Sequence, residues 1–551
     1  MATAITAPPA RHRTEPGRQN TLAGTGTLVR FGLRRDRVRL SLWAGGIVLM
    51  TLLINATWEE NYGDREELLE IAQTLDSPAM IAMVGVNHAG VEGTSYGSMM
   101  GQQMFWFTLI AVAIMSILTM VRHTRAEEEA NRAELVRASV VGRHAYLTSA
   151  LIIVGFANVA VGLLMAVGLG AMDVPTVDWA GSWLYGTGHI VVGLAFAGIA
   201  AIAIQITGYS RGAAGWGFSA LGVAYVLRAM GDAGENALNW LSPIGWAQET
   251  RVYVDNRWWP LLIAVVAAVA FAAIGYYLSI KRDVGAGLRA ARLGKPTASD
   301  SLTTPLGFAV RLHRGLLIGF GIGVMLLGAS YGSILGDVES LLEDVTAFAE
   351  LTEGLGGTAL EAFSAQVLAI MAIISSIYVV LAMQRPRSEE TSGRAEPLLS
   401  TAVSRSKWLS SHLAIASIGG LAMLLLVGIG FAGAGVAAAG ENAVFGDLLA
   451  GSLVYVPALW VTAGVAVALM AWVPRATMLT WLIVVYSFVV VYLGNILQVP
   501  EWTRNLTPFG HVPQVPSADF DIVPLLILTA VAAGLYAFGL YGFRRRDLET
   551  K

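Results

Sequence analysis

The densest ionisable chemistry in the chain occurs twice. Residues 125–143 read RAEEEANRAELVRASVVGR and residues 387–405 read RSEETSGRAEPLLSTAVSR; at a constant offset of 262, eight of nineteen positions are identical. These are Arg125/Arg387, Glu127/Glu389, Glu128/Glu390, Arg132/Arg394, Ala133/Ala395, Glu134/Glu396, Val141/Val403 and Arg143/Arg405. Carboxylates interleaved with guanidinium groups can form ion pairs and a two-signed docking surface. Glu128 precedes Arg132 by four residues and Glu390 precedes Arg394 likewise, the better order for an i,i+4 helix pair, worth about 0.2–0.5 kcal/mol alone. A loop that merely fixes membrane orientation needs only Lys or Arg, because acids contribute little to topology. Retention of three acids in both copies therefore favours a short helix that presents both signs to a partner.

Other chemistry is missing. No G-x-x-x-x-G-K-[ST] loop exists; the nearest string, LGKPT at 293–297, lacks the first glycine and has Pro after Lys, so it cannot cradle a triphosphate. H-E-x-x-H is absent too. With no cysteine, neither a disulfide nor a thiolate metal site can form. No metal ligand set, catalytic constellation or nucleic-acid partner is expected.

The elements that carry the islands are apolar. Of 551 residues, 55% are hydrophobic and 14% charged, and mean hydropathy is +0.60, the composition of an integral membrane protein. Apolar runs of about 20 residues, enough to span the hydrocarbon, fall near 40–57, 103–121, 146–170, 185–207, 212–230, 258–280, 315–335, 363–383, 409–433, 449–472, 477–497 and 522–543. The expected fold class is all-α integral membrane, with twelve transmembrane helices. No Asp or Glu lies deep in these runs, which argues against proton-coupled transport. His189 and His412 are the candidate proton sites, interhelical hydrogen bonding being the commoner role for such residues. Transport without an energy source in the chain requires another subunit to supply it.

An even number of spans puts both termini on one side. With the N-terminus inside, the inner segments hold 31 of the 36 basic residues, leaving only Arg65, Arg228, Arg251, Arg257 and Arg504 outside. That bias makes both termini and both islands cytoplasmic. Twenty-six of the 39 acids fall on the other side, concentrated at 59–92 and 337–361. The outer segments 59–100 and 336–362 read as acidic caps over an exit or as plain solvated helices.

The duplication extends past the islands. Arg211 corresponds to Arg475, LSPIGW (241–246) to LTPFGH (506–511), and Lys281-Arg282-Asp283 to Arg545-Arg546-Asp547. Two tandem pseudo-symmetric six-helix halves follow: a disordered cytoplasmic tail at 1–26, a first half at 27–283, a linker at 284–306 and a second half at 307–551. Parallel repeats of this kind are a transporter architecture with the path between the halves. Residues 27–39 alternate apolar and Arg positions, as in a basic amphipathic helix at the membrane surface.

The E-E-x-x-x-R-x-E…V-x-R pattern between the second and third helices of each half resembles the permeases of ABC-2 class ATP-binding-cassette exporters. HRGLLIGF (313–320), YGSILGDVE (331–339), SEE…GRAEPLLSTAVSR and the terminal RRRDL are similar to those of the duplicated twelve-helix actinobacterial permeases for polyketide antibiotics or tetronasin. The resemblance covers nearly everything after residue 27. It implies a plasma-membrane efflux permease for bulky hydrophobic compounds, without an ATPase site or bound cofactor. Two copies of a separate ABC ATPase, carrying ATP and Mg, would each receive one island as a coupling helix. Pro397 stands where the first copy has Leu135; a proline inside a helix kinks it, so the two docking helices are expected to differ. Candidate cavity residues are Gln102, Gln103, Phe105, Trp106, Trp216 and Tyr225, and in the second half Gln366, Tyr378, Tyr455, Trp460, Trp481 and Tyr486. Uncharged amides at the membrane edge seek a partner or a wet cavity; most of the aromatics are expected to face lipid or pack between helices, and interfacial belts account for several. A lipid or glycolipid translocator would need the same apolar cavity, and a drug/proton antiporter is the remaining alternative.

Overall fold

The computed structural model describes residues 20–56, 65–76, 78–130, 132, 141–283, 285–289, 296–338, 358–440, 444–492 and 500–548. Residues 1–19, Glu134 with most of the first island's second part, and 339–357 of the outer segment lie outside the described residues. The chain divides into two compact units, Met1–Leu293 and Gly294–Lys551.

The first unit is built from α1 (Thr25–Ala56), α2 (Phe105–His123), α3 (Ala145–Gly170), α4 (Trp179–Ile206), α5 (Ser210–Ala233) and α6 (Trp259–Lys281). Sequence signals explain several starts. Asp178 Oδ1 accepts the Gly181 N–H at 2.8 Å to cap α4, and Pro260 occupies the first turn of α6, where its missing N–H is no loss. The second unit contains α7 (Pro305–Gly332), α8 (Ala359–Thr391), α9 (Arg405–Ala439), α10 (Val456–Trp472), α11 (Trp481–Ser487) and α12 (Ile522–Arg545). Thr304, Thr358, Ser404 and Asp521 cap α7, α8, α9 and α12 with their side-chain oxygens. The echo LSPIGW/LTPFGH is a shared cap: Ser242 and Thr507 each accept backbone N–H groups of the proline-started turn that follows.

Each unit packs by the same scheme. In the first, α1 lies on α3, α2 on α4 and α4 on α6; in the second, α7 lies on α9, α8 on α10 and α10 on α12. Without a hydrophobic drive between helices in lipid, close approach depends on small residues. Gly162 of α3 and Gly186 of α4 show this: a Cβ on either would run into the carbonyl oxygen of the other.

Among the described residues, eleven helical stretches are long and apolar enough to cross a membrane. Eleven of the twelve expected runs are therefore met by such stretches, and α5 is the exception. Its 24 residues include Arg211, Arg228 and Asp232, which lower its hydropathy, although at 1.5 Å per residue it is about 36 Å long.

Two expectations are corrected here. The basic segment 27–39 is not a separate surface helix, because α1 runs unbroken from Thr25 to Ala56 and buries Asp36 within it. Residues 20–26 are not a loose tail: Gly142 N–H donates to Ala23 O at 2.9 Å and His144 N–H to Thr21 O at 3.0 Å, and α1 begins at Thr25.

Candidate coupling site

Both islands begin at the end of a long apolar helix. In the first, α2 ends at His123 and a short helix, Arg125–Glu129, follows at once. In the second, α8 runs on through Thr391 and carries Arg387, Glu389 and Glu390 on its last turns. The first shared charges of each island thus sit at the end of a long apolar helix.

The ion pairing is not the one the spacing predicts. Glu128 does not pair with Arg132. It accepts from Arg125 Nη1 at 2.6 Å and takes two bonds from Arg282 at 2.8 and 3.0 Å. Arg125 is fully buried; its Nε donates to Ile204 O at 2.7 Å near the end of α4 and its Nη2 to Ala286 O at 2.8 Å. Arg282 also donates to Gln205 Oε1. The second unit repeats the arrangement: Glu390, 1% exposed, accepts from Arg387 at 3.3 Å and from Arg546 at 2.6 Å. Each triad joins the island to the end of the unit's last helix. Arg143 and Arg405 reinforce the joint by donating to Ile280 O at 2.9 Å and Arg546 O at 2.6 Å.

The other shared acid takes the other shared base. Arg132 Nε reaches Glu127 Oε2 at 2.9 Å, and Arg394 Nε reaches Glu389 Oε2 at 2.9 Å. A second cation backs each acid: Arg35 of α1 lies 2.8 Å from Glu127 and Arg385 lies 3.1 Å from Glu389. Arg132 and Arg394 remain 60% and 58% exposed. Glu127 holds the Arg132 guanidinium still more firmly protonated. These arginines face outward, as the exposed acids Glu129 and Glu396 also do.

Glu396 opens a four-residue helix, Glu396–Leu399, with exposed Pro397 in its first turn. Proline there is tolerated, so Pro397 starts an element and does not kink one. Gly393, at φ +72°, supplies the left-handed turn that separates this helix from α8. The first island's counterparts of this short helix lie outside the described residues.

The cavity candidates disperse. Gln102 is buried in a π-turn (Met100–Met104) and donates to Gly85 O at 2.8 Å, tying the segment around Gly85 to the start of α2. Gln103 is half-buried in the same turn. Phe105 is buried against Tyr185, with ring centroids 4.5 Å apart. Trp106 and Tyr225 flank Arg228, whose guanidinium carbon lies 5.2 and 5.0 Å from their ring centres. Trp216 is 49% exposed on α5. In the second unit Gln366 donates to Val491 O at 3.4 Å, Tyr378 to Ile415 O at 3.2 Å and Trp460 to Ser417 O at 3.3 Å. Tyr455 is buried beside Phe509, and Trp481 packs on the core. Tyr486 donates to Thr503 O at 2.9 Å and lines an apolar groove of about 540 Å³ with Leu482, Val489 and Leu506.

His189 and His412 are interhelical hydrogen-bonding groups. His189 Nε2 lies 2.8 Å from Thr108 Oγ1, and His412 Nδ1 lies 2.9 Å from His313 Nε2. Sequence reasoning missed Arg228, a fully buried cation on α5. It is paired with Asp232 at 3.5 Å and donates to Ala82 O and Met83 O at 3.3 and 3.2 Å. It also missed that the KRD/RRD echo marks the clamp arginines Arg282 and Arg546. The echo was legible as a repeat, but nothing local shows which acid it meets.

Two apolar helical units, each joining a charged island to its last helix by the same buried triad, make a polytopic membrane permease. A family model described as "Multidrug efflux system permease Rv1217c, C-terminal domain" matches residues 27–278 and 302–544, one stretch in each unit. The multidrug efflux system permease protein Rv1217c of Mycobacterium tuberculosis (strain ATCC 25618 / H37Rv) is 39% identical over 552 residues, covering 98% of each chain. The chain belongs to this family of efflux-system permeases and is the transporter component of such a system.

Proposed function

We propose that the chain is the permease subunit of an ATP-driven ABC exporter of bulky hydrophobic compounds, and that each island receives one copy of a separate ATPase. The observation that carries this reading is the duplicated triad with its outward-facing Arg132 and Arg394. A solvated loop has no need to bury Glu128 and Glu390 against the last helix of the unit. A joint that must pass force from a docked subunit into the helices does need such anchoring, and the relative's printed name speaks for efflux of drugs. ATP and Mg would be held on the partner, since the sequence contains no phosphate loop. In this reading α5 is the twelfth span, the islands and both termini are cytoplasmic, and Tyr486, on its apolar groove, is the best supported of the candidate cavity residues.

The decisive experiment is co-purification. The full chain, expressed with candidate ATPase subunits, should retain one of them, and substrate should stimulate its ATP hydrolysis. Drug export by the chain alone in proteoliposomes would end this reading. A cysteine replacing Ser400 should resist an impermeant thiol reagent in intact cells; labelling there would reverse the topology.

A further inference from the structure

We propose that the lateral groove between α1 and α2 is a binding site for an anionic phospholipid, its headgroup on Arg39 and an acyl chain along the groove. The groove has a volume of about 720 Å³. Val38, Leu42, Ile47 and Met50 of α1 and Phe107 and Ala111 of α2 form its wall. Val38 and Leu42 are 64% and 71% exposed, so the groove stands open to the side, where lipid would be.

The charge at its island end is unbalanced toward the positive. Arg35, Arg39 and Arg122 meet there with Asp36. Arg122 is spent on Asp36, in two bonds of 2.8 and 2.9 Å, and Arg35 on Glu127 at 2.8 Å. Arg39 makes no hydrogen bond or ion pair among the described residues, and it is half-buried. Arg132 shares Glu127 with Arg35, and His123 lies on Asp36 beside Arg122, so the cations at this end outnumber the two carboxylates and leave net positive charge for an anionic headgroup.

The length also fits a lipid. Arg39 to Met50 is eleven residues, about 16 Å along a helix, close to half of a hydrocarbon core of about 30 Å. A free anion would gain only the cation, whereas a phospholipid gains the cation and the apolar wall together. The site belongs to the first unit alone. Aligning Phe31-Gly-Leu-Arg with Phe308-Ala-Val-Arg puts Leu312, His313 and Leu316 of α7 where α1 has Arg35, Asp36 and Arg39. His313 is turned instead to His412. A headgroup on Arg39 would also lie beside the Arg35–Glu127 pair, so lipid occupancy would bear on the first island and not the second.

The test uses the purified full-length chain and native mass spectrometry, with phosphatidylglycerol and phosphatidylcholine of identical acyl chains. Two variants probe the two parts of the site. Arg39→Ala removes the free cation without touching the Asp36 pairs. Gly46→Leu fills the groove, since a Cβ at Gly46 meets no atom within 4 Å. Arg34→Ala, an exposed residue outside the groove, is the control. The wild type should retain phosphatidylglycerol preferentially. Arg39→Ala should lower that retention about fivefold, as one basic residue at a membrane surface is worth, and Gly46→Leu should lower retention of both lipids. Equal retention of the two lipids by the wild type would overturn the proposal. So would Arg39→Ala behaving like Arg34→Ala, unchanged retention in Gly46→Leu, or displacement of the lipid by equimolar inorganic phosphate.

Discussion

Glu128 and Arg282, 154 residues apart, meet through two hydrogen bonds of 2.8 and 3.0 Å. Glu390 and Arg546 meet in the second unit through a hydrogen bond of 2.6 Å. A duplicated sequence has kept the same long-range pair twice, and the pair joins the end of each unit's last helix to its island.

The first prediction separates buried from exposed charge. Glu128→Ala leaves Arg125 and Arg282 facing each other with no acid between them, and breaking a buried pair in this way costs about 3–5 kcal/mol. Arg132→Ala removes a largely exposed partner and should cost under about 1 kcal/mol. Thermal unfolding of the two purified variants in detergent tests this, and equal midpoints would show that the triad is not a structural joint. Glu128→Ala with Arg282→Ala should be less damaging than the sum of the single changes, as expected of residues in one network.

The second prediction concerns docking. Arg132→Ala combined with Arg394→Ala should leave insertion and folding intact. The outward-facing cations at the centre of a docking contact would be lost, which can cost about 2 kcal/mol or more of association. The expected outcome is a membrane-inserted permease that no longer retains its ATPase on affinity purification. Undiminished retention and export would mean that these arginines only fix orientation in the membrane.

Arg228 gives the third. Its guanidinium is flanked by Trp106 and Tyr225 and donates to the carbonyls of Ala82 and Met83. Lysine cannot reproduce a planar fork that contacts two rings and two carbonyls at once, so Arg228→Lys should loosen the short helix Pro78–Val84 from α5. A cysteine at Met83 in the otherwise cysteine-free chain should then react faster with a soluble maleimide. An unchanged rate would show that the cage does not hold this segment.

The fourth is a pH effect at His88. Burial pushes its pKa down to about 4, with Arg251 and Arg257 adding to the shift and Asp255 opposing it. The folded state keeps the ring neutral while the unfolded chain takes up a proton near pH 6.5. Stability is therefore full above about pH 6.5 and falls as the pH drops toward about 4, by roughly 1 to 3 kcal/mol. His88→Gln should lose less thermal stability than the wild type between pH 7.5 and pH 5. Equal losses would remove His88 from the acid response.

Sequence by itself determined the membrane character of the chain and most of its helices. Apolar runs such as 146–170 and 522–543 correspond closely to α3 and α12, because a helix that must satisfy every backbone group in lipid has its length set by the bilayer. The repeat and the charged islands were legible for the same local reason: identity at a fixed offset needs no fold to be seen. The merged α1 was not legible. Arginines at 30–39 look like a surface stripe until Asp36 is found beneath them, bonded to Arg122 and with His123 Nε2 3.0 Å away.

Only the tertiary structure decided which charge meets which. Spacing along one helix pairs Glu128 with Arg132 and Glu390 with Arg394; folding instead brings in Arg282 and Arg546 from the far end of each unit. The same holds for Trp106 and Tyr225, which read as cavity candidates until Arg228 is found against both rings. An i,i+4 ion pair on a helix surface is worth a few tenths of a kcal/mol, whereas a buried carboxylate left without its partners loses several. The long-range contact therefore overrides the local one, and a sequence read residue by residue cannot rank the two.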